Sequence, residues 1–386
     1  MPLSRRLATQ GLALGAAGLA LAGCTTPLAT PTPAGTPAPA AEPSLDALAR
    51  AKGLRFGSTL GSLGRSSRFH DLAYRELTAR ECSVLVAENE TKWQALRPDP
   101  GKAYNFAAAD EMFSWARAQG MALRGHTLLW LEPKWLPAWV NALNFGATDG
   151  EAARRVLAEH VSTTCRHFGD SIESWDVVNE AIAPETGELR RNVFSAPIGG
   201  VAQIDLCFRL AREHAPRAQL VYNDYMSWGG GNNARHRSGV LKLLTELKRL
   251  GTPVQALGIQ GHIVARPQAS AADVTEWRRW LDEVQALDLD LLITEFDVND
   301  KGLPADFAQR DAGVAAVARD WLDVTLAAPR LRRLLCWGLM DKHSWLHGFD
   351  PRDDTLPQRP LPYDDERQPK LLRTAIADAL RATPAR

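Results

Sequence analysis

IESWDVVNE, Ile172–Glu180, is a short apolar run that ends abruptly in two groups able to do chemistry, Asn179 and Glu180. Read outward, the same arrangement recurs along the chain. Phe56–Leu60 and Val84–Ala87 precede it with Met121–Gly125; Gln219–Tyr222, Val254–Ile259, Leu289–Thr294 and Leu331–Gly338 follow. Most of these runs lead into polar residues: Glu88-Asn89, His126, Asn223-Asp224, Gln260 and His262, Glu295 and Asp297, then Trp337 and Asp341. From Gly57 to Trp337 the spacing averages about 40 residues, room for one strand, one helix and two loops. Polar groups at the same end of every strand converge on one place. The pattern predicts an α/β fold of (β/α)8 barrel type as a single domain, with its site at the C-terminal ends of the strands.

Helical spacing fills the gaps between runs. Apolar residues at a 3.6-residue period predict helices over Phe106–Gln119, Glu151–Phe168, Val201–His214, Ala234–Leu250, Asp273–Leu287, Asp306–Thr325 and Leu371–Arg381. Asn105 is the expected cap of the first. No linker or low-complexity block interrupts the chain beyond Leu45, so residues 45–386 form one expected domain.

Two carboxylates stand out. Glu180 and Glu295 close the fourth and seventh runs, 115 residues or about three repeat units apart, which sets them across the barrel mouth from one another. Paired carboxyls across a cleft suit acetal cleavage. One protonates the leaving oxygen, while the other attacks the anomeric carbon or activates water; a spacing of about 5 Å gives retention by double displacement. Glu295 and Asp297 alternate onto one face, and His262 on the preceding strand reaches toward both, so it orients Glu295 and couples its ionisation to Asp297. Asn179 is placed to hydrogen-bond a sugar hydroxyl.

Composition narrows the partners. Forty-five basic and forty-five acidic residues cancel, leaving no electrostatic footprint for nucleic acid. Twelve tryptophans are many for 386 residues, and Trp93, Trp130, Trp135, Trp139, Trp337 and Trp345 cluster near the site segments, where flat aromatic faces match sugar rings. About half of the twelve are expected to be core filler. Cys82, Cys165, Cys207 and Cys336 have no metal-type spacing and sit in or beside apolar segments, so buried free thiols are expected. The site groups are carboxylates, amides and indoles, so neither metal nor cofactor is expected in the reaction.

The first residues read as an address. Arg5-Arg6 precede the apolar run Leu7–Ala22, which ends Leu21-Ala22-Gly23-Cys24. Residues 1–23 form an expected export signal. Its ending resembles a bacterial lipoprotein signal, which implies a diacylglycerol anchor on Cys24. Ser4-Arg5-Arg6-Leu7 resembles a twin-arginine signal as well. Residues 24–44, rich in Pro, Ala and Thr, form a tether without apolar periodicity. Thr25 after the Cys favours the outer membrane over retention at the inner one. The expectation is an exported cell-envelope lipoprotein, acting as a monomer.

At its site segments the chain resembles the family 10 glycoside hydrolases, mostly endo-β-1,4-xylanases on a (β/α)8 barrel. Trp175–Ala181 matches the acid/base segment and Ile293–Asp297 the nucleophile segment. Glu88–Trp93, Arg124–Trp130, Gly258–His262 and Trp337–Trp345 align in order. The resemblance implies Glu180 as general acid/base and Glu295 as nucleophile. It further implies that Glu88, Asn89, Lys92, His126, Trp130, Asn179, Gln260 and His262 line the subsite of the sugar being cleaved, walled by Trp337 and Trp345. Tyr225 falls on the leaving-group side, and His262 and Asp297 support the nucleophile. Three departures bear on substrate: Leu131 stands where the family usually has His, Met340 where it has Thr, and Thr91 where it has Met. Tyr225-Met226-Ser227-Trp228 with Gly229-Gly230-Gly231 replaces an Asn-rich continuation. The expected activity is retaining endo-cleavage of β-1,4-xylan without a cofactor. Two other readings stay open: the same mechanism on another β-glycan or exopolysaccharide, and a silent glycan-binding envelope protein.

Overall fold

The computed structural model describes residues 42–63, 67–146, 149–265 and 269–386. The export signal, the Cys24 lipidation site and the tether up to residue 41 lie outside the described residues. Pro43–Arg386 forms a compact unit.

Nine strands are described: β1 Arg55–Leu60, β2 Val84–Ala87, β3 Ala122–Trp130, β4 Ile172–Asn179, β5 Gln219–Asp224, β6 Ala256–Ile259, β7 His262–Val264, β8 Asp290–Asn299 and β9 Leu331–Cys336. Consecutive strands pair in parallel from β1 to β6, β6 and β7 both pair with β8, and β8–β9 and β9–β1 close the ring. Strands β6 and β7 are two halves of one stave, broken at Gln260-Gly261, which gives the eight staves of a (β/α)8 barrel. Their near-continuous burial follows from a parallel sheet covered on both faces.

Two strands run well past the end that periodicity suggested. Strand β3 runs on through His126 to Trp130, and β8 through Glu295 and Asp297 to Asn299. Polar side chains there face the barrel interior or its mouth, so the apolar run stops before the backbone ladder does. Seven of the outer helices start and stop within two residues of their expected bounds. An eighth, Leu72–Glu81, was not expected; Arg75, Glu76, Arg80 and Glu81 obscure its apolar stripe, and Asp71 caps it through the Tyr74 amide at 3.1 Å. Asn105 is not the cap of Ala107–Ala118. Phe106 takes that position, while the Asn105 side chain accepts from the Ala107 amide at 3.1 Å in a local turn.

Close packing around β3 and β4 sets the position of His126. Gly125 lies against the indole of fully buried Trp175; a Cβ on Gly125 would fall 2.1 Å from that ring. Gly125→Ala is expected to lower stability by about 1–3 kcal/mol through overpacking, read as a drop in Tm on thermal unfolding. An unchanged Tm would show that Trp175 has room to move.

Cys82, Cys165, Cys207 and Cys336 are buried and unbridged. Among the described residues no helix is long and apolar enough to cross a membrane.

Candidate active site

A cleft of about 450 Å³ opens at the C-terminal ends of the strands. It brings together Glu88, Asn89, Lys92, His126, Trp130, Glu180, Tyr225, Gln260, His262, Glu295, Trp337 and Trp345. Asn179 and Asp297 lie behind its wall, each 1% exposed.

Glu295 sits among donors. Its Oε1 accepts from Asn223 Nδ2 at 2.7 Å and its Oε2 from His262 Nε2 at 3.3 Å. His262 also donates from Nδ1 to Asp297 Oδ1 at 2.9 Å, and the other Asp297 oxygen accepts from the Trp345 indole at 2.7 Å. His262 therefore bridges two carboxylates. Burial alone would lower its pKa, but Asp297 and then Glu295 outweigh burial and raise it to about 10, so His262 is a cation at neutral pH. Burial likewise pushes Glu295 up, yet His126, His262 and Asn223 together hold it down to about 2.

Glu180 has the opposite setting. Burial raises its pKa, Asp224 and Glu295 add to the rise, and the hydrogen bond from Gln260 only partly offsets it. Asn179 Nδ2 at 3.2 Å and Gln260 Nε2 at 3.0 Å both donate to the same oxygen, Oε1. The other oxygen is left to carry the proton. Two carboxyls in one cleft whose environments drive their ionisation apart divide naturally into acid and nucleophile.

A bridge of amides ties the pair together. Asn223 Nδ2, which contacts Glu295, also donates to Asn179 Oδ1 at 2.9 Å, and Asn179 is the donor to Glu180. Thr294 fixes the Asn223 carbonyl at 2.7 Å. Gly258 leaves the space Asn223 occupies, since a Cβ there would lie 2.2 Å from its Oδ1. Asn179 and Gln260 thus direct hydrogen bonds to Glu180, and Gln260 also donates to Asn179 at 3.3 Å.

The remaining cleft residues form walls. Lys92 Nζ donates to Asn89 Oδ1 at 3.0 Å and lies over the Trp130 ring at 4.8 Å. Burial lowers its pKa, opposed by Glu88, Glu295 and Glu180. Glu88 is paired with fully buried Arg68 at 2.7 Å. Trp130 stacks on Trp135 at 4.9 Å, while Trp337 meets the His126 and His262 rings edge-on. On the far side the Tyr225 hydroxyl accepts from Arg190 Nη2 at 2.7 Å, and Arg190 is paired with Glu132.

Several residues here were not foreseen. His126 is held by Asp176 at 3.0 Å, Asp176 by Arg124, and Arg124 by Ser174 at 2.9 Å, which also accepts from Arg333 at 3.0 Å. This polar column runs up the barrel axis to His126, whose Nδ1 stands 4.0 Å from Glu295. The alternation of Ser174 and Asp176 within an apolar strand was the available signal. Glu132, Arg190 and Phe349 also line the cleft, beside Trp135, one of the tryptophans expected near the site. Phe349 is 59% exposed, its ring 4.5 Å from that of Trp345.

Other expectations need correction. Trp93 is buried and stacks on His160 at 4.0 Å, and the Trp139 indole donates to the Arg97 carbonyl; both serve packing. Asp341 turns away from the cleft to pair with Lys370 at 2.8 Å. Asp224 points behind the site, toward Tyr222 and His236.

A barrel whose mouth holds a depressed carboxylate and a raised one, walled by indoles, defines a glycoside hydrolase site. The chain belongs to Glycosyl hydrolase family 10, whose description matches residues 44–379. It is 30% identical over 344 residues to endo-1,4-beta-xylanase 1 of Gibberella zeae, spanning 88% of this chain and 91% of that one. It is 31% identical to endo-1,4-beta-xylanase B of Thermotoga neapolitana over 72% of this chain and 75% of the relative. Among solved structures, native xylanase 10B from Thermotoga maritima superposes with a TM-score of 0.76 at 31% identity, covering 87% of this chain and 98% of that one. Xylanase 10B from Thermotoga petrophila in complex with xylobiose gives 0.76 at 30% identity, covering 88% and 97%.

Proposed function

We propose that this protein is a retaining endo-β-1,4-xylanase in which Glu180 is the general acid/base and Glu295 the nucleophile. The observation that carries this reading is the amide bridge Asn179–Asn223, which joins one carboxylate to the other in a single cleft. Glu295, ionised at any pH well above 2, attacks the anomeric carbon. Glu180 delivers its proton from the oxygen that neither Asn179 nor Gln260 occupies. A covalent glycosyl-enzyme forms, and Glu180, now ionised, takes a proton from the water that releases the sugar. His262, Asp297 and Trp345 keep Glu295 in register throughout. Lys92, Asn89, Glu88 and His126 bind the hydroxyls of the sugar being cleaved, between Trp337 and Trp130. Tyr225 meets the leaving sugar.

The departures at Leu131 and Met340 weigh less on substrate choice than their positions in sequence suggest. Both are buried in the main apolar core, and neither lines the cleft. This supports xylan, the substrate named for the relatives, over another β-glycan. A panel of purified polysaccharides assayed for new reducing ends tests the assignment. Release from β-1,4-xylan is expected; release from a mixed-linkage β-glucan or an exopolysaccharide with none from xylan would overturn it.

We further propose that the enzyme is exported and anchored in the cell envelope through a lipid on Cys24, with residues 24–44 as tether and monomeric catalytic domains. The Leu21-Ala22-Gly23-Cys24 segment after a basic, apolar start supports this. Cys24→Ser is expected to move the enzyme from the membrane pellet to the soluble fraction and to abolish incorporation of labelled fatty acid. Continued labelling of the variant would remove Cys24 as the anchor.

A further inference from the structure

Glu180 has φ +54°, the left-handed region that residues with a Cβ seldom adopt. Such a conformation persists only where its surroundings over-determine it. On one side the Glu180 amide donates to the Asn223 carbonyl at 2.9 Å, the last rung of the β4–β5 ladder. On the other side the chain turns away, and the Ala181 amide, buried, has no backbone partner. It donates instead to the phenol oxygen of Tyr222 at 3.1 Å, while the Ala181 carbonyl accepts from the Arg190 amide at 2.8 Å. A buried amide must find an acceptor. Here a side chain supplies it.

That arrangement needs support of its own. Tyr222 is fully buried and donates its hydrogen to Asp224, also fully buried. The other Asp224 oxygen accepts from the Tyr225 amide at 2.8 Å and lies 3.1 Å from His236 Nε2. Burial and the Asp224 charge keep the Tyr222 phenol protonated. The His236 ring then packs edge-on against Tyr225 at 4.8 Å, on the leaving-group side of the cleft. One buried carboxylate therefore governs both the turn that aims Glu180 and the backbone of Tyr225.

We propose that Tyr222, Asp224 and His236 are positioning residues, a buried relay that holds the turn at Glu180 so that its free oxygen meets the glycosidic oxygen. The proposal rests on Glu180 being the acid. A relay that aims a proton donor matters most where protonation is hard, in departure of a sugar alkoxide, and least for a phenol that leaves unaided.

The test compares Tyr222→Phe with the unaltered enzyme on xylan and on a dinitrophenyl xylobioside. Tyr222→Phe is expected to lower kcat/KM on xylan by about tenfold, a fraction of the 10²–10⁴ that acid catalysis contributes. It should alter kcat/KM on the activated glycoside, which reports formation of the glycosyl-enzyme and not its hydrolysis, by less than about threefold. Equal losses on both substrates, or no loss on xylan, overturn the relay. Asp224→Asn, which keeps the volume of the side chain, is read by the same ratio should Tyr222→Phe fail to fold. Glu180→Gln run in parallel separates the two ideas. If it too lacks the split, the acid assignment has failed; if it alone shows the split, only the relay has.

Discussion

Glu295→Ala is expected to reduce reducing-end release from xylan by at least ~10⁴-fold, the scale on which loss of a nucleophile removes turnover. The carboxylate is the group that bonds to the anomeric carbon, and no neighbour can replace it. His126 and His262 are donors or cations there, and Asp297 is turned away, held by His262 at 2.9 Å and Trp345 at 2.7 Å. The fold should survive, because Asn223 keeps its bonds to Asn179 and Thr294, and His262 keeps Asp297. Near-native circular dichroism with abolished activity is the anticipated pair of readings. A small anion such as azide, placed in the vacated space, should attack from the same face and give a glycosyl azide of inverted configuration. Xylan hydrolysis within tenfold of wild type would remove Glu295 from the reaction.

Glu180→Gln should separate the two halves of the catalytic cycle. On xylan the loss is expected to be about 10²–10⁴-fold, because an alkoxide leaves poorly without a proton. On a dinitrophenyl xylobioside glycosylation should continue at close to its normal rate. Release of the covalent sugar, which needs the same residue as base, should then limit turnover and give a burst of dinitrophenol. The pH profile carries a second signature. In the unaltered enzyme kcat/KM needs Glu295 ionised and Glu180 protonated. Activity is therefore lost on the acid side as pH falls through about 2, and on the alkaline side as pH rises through the Glu180 pKa, which burial sets above its usual 4.5. Glu180→Gln has no proton to lose, so with the activated substrate the alkaline limb should vanish while the acid limb stays. An unchanged alkaline limb would assign it to another group.

Much of this was legible in the chain. Eight apolar runs at a regular spacing are local features, each visible in a window of a few residues, and their order alone implied a closed barrel with polar groups at one end. Glu180, Glu295, Asp297 and His262 could be grouped because alternation along β8 and adjacency of staves are simple geometry. The helix Leu72–Glu81 escaped because its buried face is thin and its charges lie in every turn. Tryptophan was an ambiguous sign: Trp337 and Trp345 wall the cleft, whereas Trp93 stacks on a buried histidine.

The amino-acid order by itself settled most of the elements, though not Leu72–Glu81, and their succession, since strand and helix periods are properties of neighbouring residues. Partnerships across staves were decided only in three dimensions. Irregular register between β3 and β4 and between β4 and β5 determines which side chains meet inside the barrel. Arg124 and Asp176 were therefore found beneath His126 only in the folded structure, as was the use of Asn179 and Gln260 as holders of Glu180. Leu131 and Met340, adjacent in sequence to cleft residues, were carried into the core by the direction of their Cα–Cβ bonds. The left-handed turn at Glu180 has the same origin: the acceptors for the Glu180 and Ala181 amides come from β5, more than forty residues away, and no local preference could have announced it.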